Sequence, residues 1–160
     1  MATMVLHLSW LILFIQFKGE NEMKRWHFWI LSFTWGLPQT LLGCLVALVF
    51  LITGHKPHKW GYCIYFVTRA KGYAGCEFGP FFVINDGGEG CRNHEFGHGL
   101  QNCVYGPITL FLIFIPATIR YWIREYKAKV LHKPLTPYDD FMFEGQATRW
   151  GTEMIEKLTK

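Results

Sequence analysis

The sequence predicts a mostly α-helical, membrane-associated protein with a small β-hairpin and one helix bearing paired histidines. Three observations carry this. Hydrophobic residues make up 51% of the 160 and charged ones only 18%, below the quarter usual in a soluble domain. Long uncharged runs occupy residues 26–53 and 107–119. Residues 94–98 read His94-Glu95-Phe96-Gly97-His98, an H-E-x-x-H string whose histidines, four apart, share one helix face.

The length suits one domain. Net charge is a modest +4, and the basic residues gather beside the apolar runs, as at membrane flanks rather than along a nucleic-acid stripe. No nucleic-acid partner is therefore expected; a lipid membrane is. None of the five cysteines (Cys44, Cys63, Cys76, Cys91, Cys103) falls in a C-x-x-C pair, which argues for buried thiols over a cysteine zinc site. If residues 54–93 face an oxidising compartment, one disulfide among Cys63, Cys76 and Cys91 is open.

Residues 1–22 read as an N-terminal extension or signal-like segment: the apolar stretch from Met4 to Phe17 is too short to span, and Met23-Lys24-Arg25 resembles a fresh start. Residues 26–53 are the transmembrane candidate, kinked at Gly36-Leu37-Pro38 so that the first part lies flat and 37–53 cross. Residues 61–85 read as a β-hairpin. Its first strand is aromatic and β-branched (Tyr62 to Thr68), and the second, 77–84, is placed at a sheet edge by Pro80. The H-E-x-x-H helix is expected over 92–105, with Gly97 and Gly99 admitting another element closely. Gly106-Pro107 ends it. Residues 107–123 form a re-entrant or membrane helix, followed by the basic stretch Arg124, Lys127, Lys129 and Lys133. Thr136-Pro137-Tyr138-Asp139 starts a last helix over 137–158, with Glu144, Ala147, Thr148 and Gly151 on one face.

On a helix, His94 and His98 reach one ion while Glu95, about 100° round, sits beside it to work on a bound water. Gln101 lies seven residues after His94 and offers support to a ligand. Phe78 and Gly79 on the edge strand, together with Tyr138, are candidates for contact with substrate. Asp139 and Asp140 read as helix-cap acids, Tyr105 as a packing residue, and His55, His58 and His132 as solvated or interfacial.

His94-Glu95-Phe96-Gly97-His98 followed by Glu144-Gly145-Gln146-Ala147 resembles the gluzincin pattern, H-E-x-x-H with a downstream glutamate. It looks most like the integral-membrane metallopeptidases of the HtpX and CAAX-prenyl-protease type. Their H-E-x-G-H and E-x-x-A match at His94, Glu95, Gly97, His98, Glu144 and Ala147. The resemblance covers about 60 residues. It implies a minimal zincin-like core in residues 23–160, one zinc ion on His94, His98 and Glu144, Glu95 as general base, and a peptide or protein substrate. It departs at Thr148, where those families usually have aspartate, and in having one apolar run between the motifs where they have two spanning helices. The overall arrangement also resembles small uncharacterised bacterial membrane proteins, which suggests the bacterial inner membrane.

The single run imposes a condition. If residues 100–123 crossed a bilayer as a straight helix, Glu144 would lie opposite His98, because 124–143 are too polar to return. Glu144 serves as a ligand only if 107–119 turns back. Otherwise Asp86, Glu89 or Glu77 becomes the third-ligand candidate, or there is no metal. The expected function is zinc-dependent hydrolysis of peptide bonds at a membrane. The alternatives are a non-catalytic membrane protein with a structural metal, its fourth ligand Cys91 or Asp86, and a metal-free membrane interaction protein.

Overall fold

The computed structural model describes residues 23–69, 74–85 and 88–160; the expectations for residues 1–22 and for Asp86 lie outside them. The described chain is mostly helical around a small mixed sheet.

Two helices open it, α1 (Arg25–Phe33) and α2 (Leu37–Ile52). They meet at 96°, so the 26–53 run is not one continuous helix. The bend falls where Gly36 accepts a close neighbour that a side chain would block, the Asn102 amide. The Gly36 amide donates to Leu31 O at 2.8 Å, closing α1. Pro38 then sits in the first turn of α2, where a missing N–H costs nothing.

The sheet contains β1 (His58–Trp60), β2 (Cys63–Val67), β3 (Gly75–Phe78) and β4 (Phe81–Ile84), in the spatial order β1-β2-β4-β3. This corrects the expected hairpin. The run 77–84 is not one strand: Gly79, at φ +68°, and Pro80 reverse the chain between β3 and β4, which pair antiparallel. β2 joins β4 in parallel, with Tyr65 opposite Phe82. Pro80 is therefore a turn residue whose carbonyl accepts from Ile64 N at 3.0 Å. Its strand-breaking chemistry was legible, but the two-residue reversal was not. The uncharged β4 takes the interior, with Phe82, Val83 and Ile84 buried, while β3 stands at the edge against the helix that carries His94 and His98.

That helix, α3, runs Gly88–Tyr105. Its apolar side, Phe96 and Leu100, enters a core with Phe28, Tyr62, Phe82, Met154 and Ile155. Its glycine side meets α5 (Met142–Leu158). A methyl group on Gly97 would collide with the Ala147 carbonyl, and one on Gly151 with the Asn93 carbonyl. The two helices thus touch backbone to backbone, which only small residues permit. Gly99 faces another backbone, with Gly79 O 3.1 Å from where its Cβ would be.

After α3 the chain turns through a 3-10 segment (Gly106–Ile108) and a π-helical segment (Leu110–Phe114) into α4 (Ile115–Lys129). The direction changes by 111° between Gly88–Ile108 and Leu110–Lys129. Gly106 (φ +56°) makes room for the Trp35 indole. No residue of α4 is buried. Arg120 and Arg124 donate to the carbonyls of Pro137 and Thr136, holding the returning chain. The last helix does not begin at Pro137 as expected. Residues Tyr138–Asp140 form a separate 3-10 turn, Phe141 is extended (φ −79°, ψ 123°), and α5 starts at Met142.

Among the described residues no single helix is long and apolar enough to cross a membrane; the bent pairs α1–α2 and α3–α4 have the length and composition together.

Candidate metal centre

The reversal between α3 and α5 brings Glu144 to the histidines. His94 Nε2 and Glu144 Oε2 lie 3.0 Å apart, His98 Nε2 and Glu144 Oε2 3.2 Å, and the two Nε2 atoms 3.1 Å. A tetrahedral ion with bonds of about 2.0–2.1 Å places its ligand atoms about 3.3 Å from one another, so the triangle has the size of one coordination face. Glu144 is 1% exposed, whereas the His94 and His98 side chains keep 17% and 13% of their surface open. The site is closed on the carboxylate side and open on the imidazole side.

The outer nitrogens are tied as well. His94 Nδ1 is 2.8 Å from Thr148 Oγ1 and His98 Nδ1 is 2.8 Å from Gln101 Oε1. Gln101 is fully buried, and its amide nitrogen donates to Phe143 O (2.8 Å) and Gln146 Oε1 (2.9 Å). Its oxygen therefore faces His98, which must present Nδ1–H and leave the lone pair of Nε2 toward Glu144. A carboxylate beside imidazole lone pairs is an electron-rich cluster that calls for a cation. The other carboxylate oxygen, Glu144 Oε1, is buried with no hydrogen-bond partner.

The electrostatics agree. Burial pushes the Glu144 carboxyl up, but hydrogen bonds and charge from His94 and His98 outweigh it and hold the group at about 2. Burial pushes His98 down, but the hydrogen bond to Glu144 and the charges of Glu144, Glu95 and Glu77 carry it to about 9. In the metal-free protein a proton takes the place that the cluster offers a cation.

Glu95 lies beside the triad, 5% exposed, its carboxylate against Gly75 at the start of β3. Burial raises its pKa, His94 and His98 pull it back, and Glu144 adds to the rise.

The other sequence candidates fall elsewhere. Gln101 supports His98, not His94. Phe78 ends β3 and Gly79 begins the turn to β4, packed against Gly43 and Thr40 of α2; they are not part of the cluster. The side chain of Tyr138 lies outside the described residues. Tyr105 directs its hydroxyl to Gln146 Oε1 at 3.1 Å. Of the alternative third ligands, Glu89 is exposed near the start of α3. Glu77 is buried and accepts from Gln39 Nε2 at 2.6 Å; burial raises it to about 8, with His98 opposing and Glu95 adding. All five cysteines are free thiols, so the disulfide left open among Cys63, Cys76 and Cys91 is not formed. Cys91 donates to Ala74 O and takes no part in the triad.

Two residues gained a place that sequence reasoning missed. The sequence places Thr148 on the face of Glu144, one turn on, but assigns it no contact with His94. Asp139, read as a helix cap, instead accepts from the Thr148 hydroxyl at 3.2 Å. Periodicity carried a signal for the first and none for the second. No protein-family model, curated protein or solved structure matches this chain.

Proposed function

We propose that this chain is a membrane-associated, zinc-dependent hydrolase of peptide bonds, of gluzincin type. The observation that carries the reading is the triangle of His94, His98 and Glu144, whose ligand atoms lie within 4.8 Å of one another on two helices in backbone contact. A zinc ion held there would lower the pKa of a water and polarise a scissile carbonyl. Glu95 is the proton carrier: its buried carboxyl, raised above the ordinary range, takes a proton from the attacking water and returns it to the leaving amine. The open imidazole side admits the substrate. β3 pairs only with β4 among the described residues, and its outer edge beside Glu95 suits an extended peptide backbone. Membrane association rests on the exposed apolar faces of α2 (Leu41, Leu45, Leu48, Ile52) and of the 108–123 region (Phe111, Ile119, Trp122).

The test is metal content and activity of purified protein. Wild type is expected to hold one zinc, and His94→Ala, His98→Ala and Glu144→Ala to lose it. Glu95→Gln should keep zinc while hydrolysis of an unfolded protein substrate falls by about 10²–10⁴-fold. Wild type with no metal would end the reading; full activity in Glu95→Gln would remove Glu95 from it.

A further inference from the structure

Thr148 stands between two groups that together leave its proton one place to go. Its hydroxyl has a single hydrogen. The Asp139 carboxylate, 3.2 Å away, has no hydrogen to donate when ionised and can only accept, so it claims that hydrogen. The hydroxyl oxygen is then left to accept, and the group facing it at 2.8 Å is His94 Nδ1. An acceptor at this position requires His94 to carry its proton on Nδ1, and the neutral ring then has its lone pair on Nε2. Nε2 is the atom 3.0 Å from Glu144 Oε2.

We infer that Thr148, oriented by Asp139, is a positioning residue that holds His94 in its Nδ1–H tautomer and thereby sets the metal affinity of the site. The inference rests on the metal-site reading above. Where the resembling peptidases usually carry an aspartate, this chain has a neutral hydroxyl, with the charge one hydrogen bond further out on the 3-10 turn Tyr138–Asp140. The arrangement differs from that at His98. There the buried Gln101 amide is pinned by two carbonyl acceptors and cannot turn over without losing both. At His94 the direction of the hydroxyl depends on one exposed carboxylate. Without Asp139 the Thr148 proton is free to swing toward His94, and the competing tautomer, with its proton on Nε2, becomes available.

The test measures zinc affinity of metal-depleted protein by competition with a chromogenic chelator. Thr148→Val keeps the shape of the side chain and removes the hydroxyl; it should weaken zinc binding by about 10–100-fold. Thr148→Ser should stay within about threefold of wild type, since it restores the acceptor. Asp139→Ala should weaken binding by about fivefold, less than Thr148→Val, because the hydroxyl remains. Nitrogen-15 spectra of the zinc-loaded protein should show His94 protonated at Nδ1 in wild type and in Thr148→Ser. Wild-type affinity in Thr148→Val, or Thr148→Ser as weak as Thr148→Val, overturns the assignment while leaving the metal site standing. Wild type that binds no zinc overturns both. If Thr148→Val does not fold, Asp139→Ala, on the exposed turn, carries the test, and unchanged affinity there overturns the assignment.

Discussion

Helices α4 and α5 are both amphipathic and of similar length, yet they are used in opposite ways. α5 buries Glu144, Ala147, Gly151, Met154 and Ile155 against the rest of the molecule, whereas α4 buries nothing. The difference lies in side-chain size. The inward face of α5 is glycine, alanine and one acid next to the site, so its backbone reaches that of α3. The apolar face of α4 carries Ile119, Trp122, Ile123 and Tyr126, all exposed, and its opposite flank is basic. A face of bulky side chains cannot enter a backbone-to-backbone contact. One helix brings a carboxylate within 3.2 Å of two imidazoles; the other presents an apolar face that the described chain does not cover.

That contrast can be broken at its tightest point. Gly97→Ala places a methyl group into the Ala147 backbone, which neither helix can avoid without separating. Its expected cost is about 3 kcal/mol of stability, with loss of zinc binding because Glu144 is carried away from the histidines. Chemical denaturation together with metal content would check this, and a variant as stable as wild type with its zinc intact would contradict the close-contact argument.

A second, smaller effect belongs to Glu77 on the edge strand. Its carboxyl is raised by burial to about 8, so the folded protein holds the proton more tightly than the unfolded chain, where the ordinary value of about 4.5 applies. Stability is therefore fully present below that value and falls as pH rises toward 8. Glu77→Gln removes this slope. In metal-depleted protein the variant should match wild type at pH 4 and pull ahead of it progressively as the pH rises to 8. Thermal unfolding at both pH values would show it, and a variant less stable at pH 8 would mean that the ionised carboxylate is stabilised by partners its burial does not suggest.

The smallest expected effect on stability comes from α4. Trp122→Ser should change it by less than about 0.5 kcal/mol, since the residue is 65% exposed. The same substitution should reduce flotation with vesicles containing anionic phospholipid. Unchanged flotation, or a large loss of stability, would show that the α4 face is used differently from this account.

How much of this was legible in the sequence follows the range of the interactions. His94, Glu95 and His98 sit within one helical turn and a quarter, and the period of the helix alone puts them together. Gly36-Leu37-Pro38 announces its bend by local backbone chemistry, and Gly97 and Gly99 announce close neighbours without saying which. The strand content of 61–85 was readable from residue type, but the pairing was not. Parallel β2–β4 and antiparallel β3–β4 depend on where a reversal at Gly79-Pro80 delivers the chain. The start of α5 was misplaced because Thr136-Pro137 has good helix-start chemistry, while the residues after it form a separate turn that places Asp139 against Thr148.

What the sequence determined by itself is therefore the presence of a two-histidine helix with an adjacent glutamate, a helical and partly apolar chain around it, and small residues wherever elements meet. What only the tertiary structure decided is that Glu144, 46 residues beyond His98, arrives 3.0–3.2 Å from both imidazoles. That meeting requires the chain to reverse through Gly106, the π-helical segment and the 136–141 return. No local period encodes the sum of those turns: small angular differences at each break displace the far end of a helix by many ångströms. The contact is held by the backbone approach of α3 and α5, which exists only once both helices are in place.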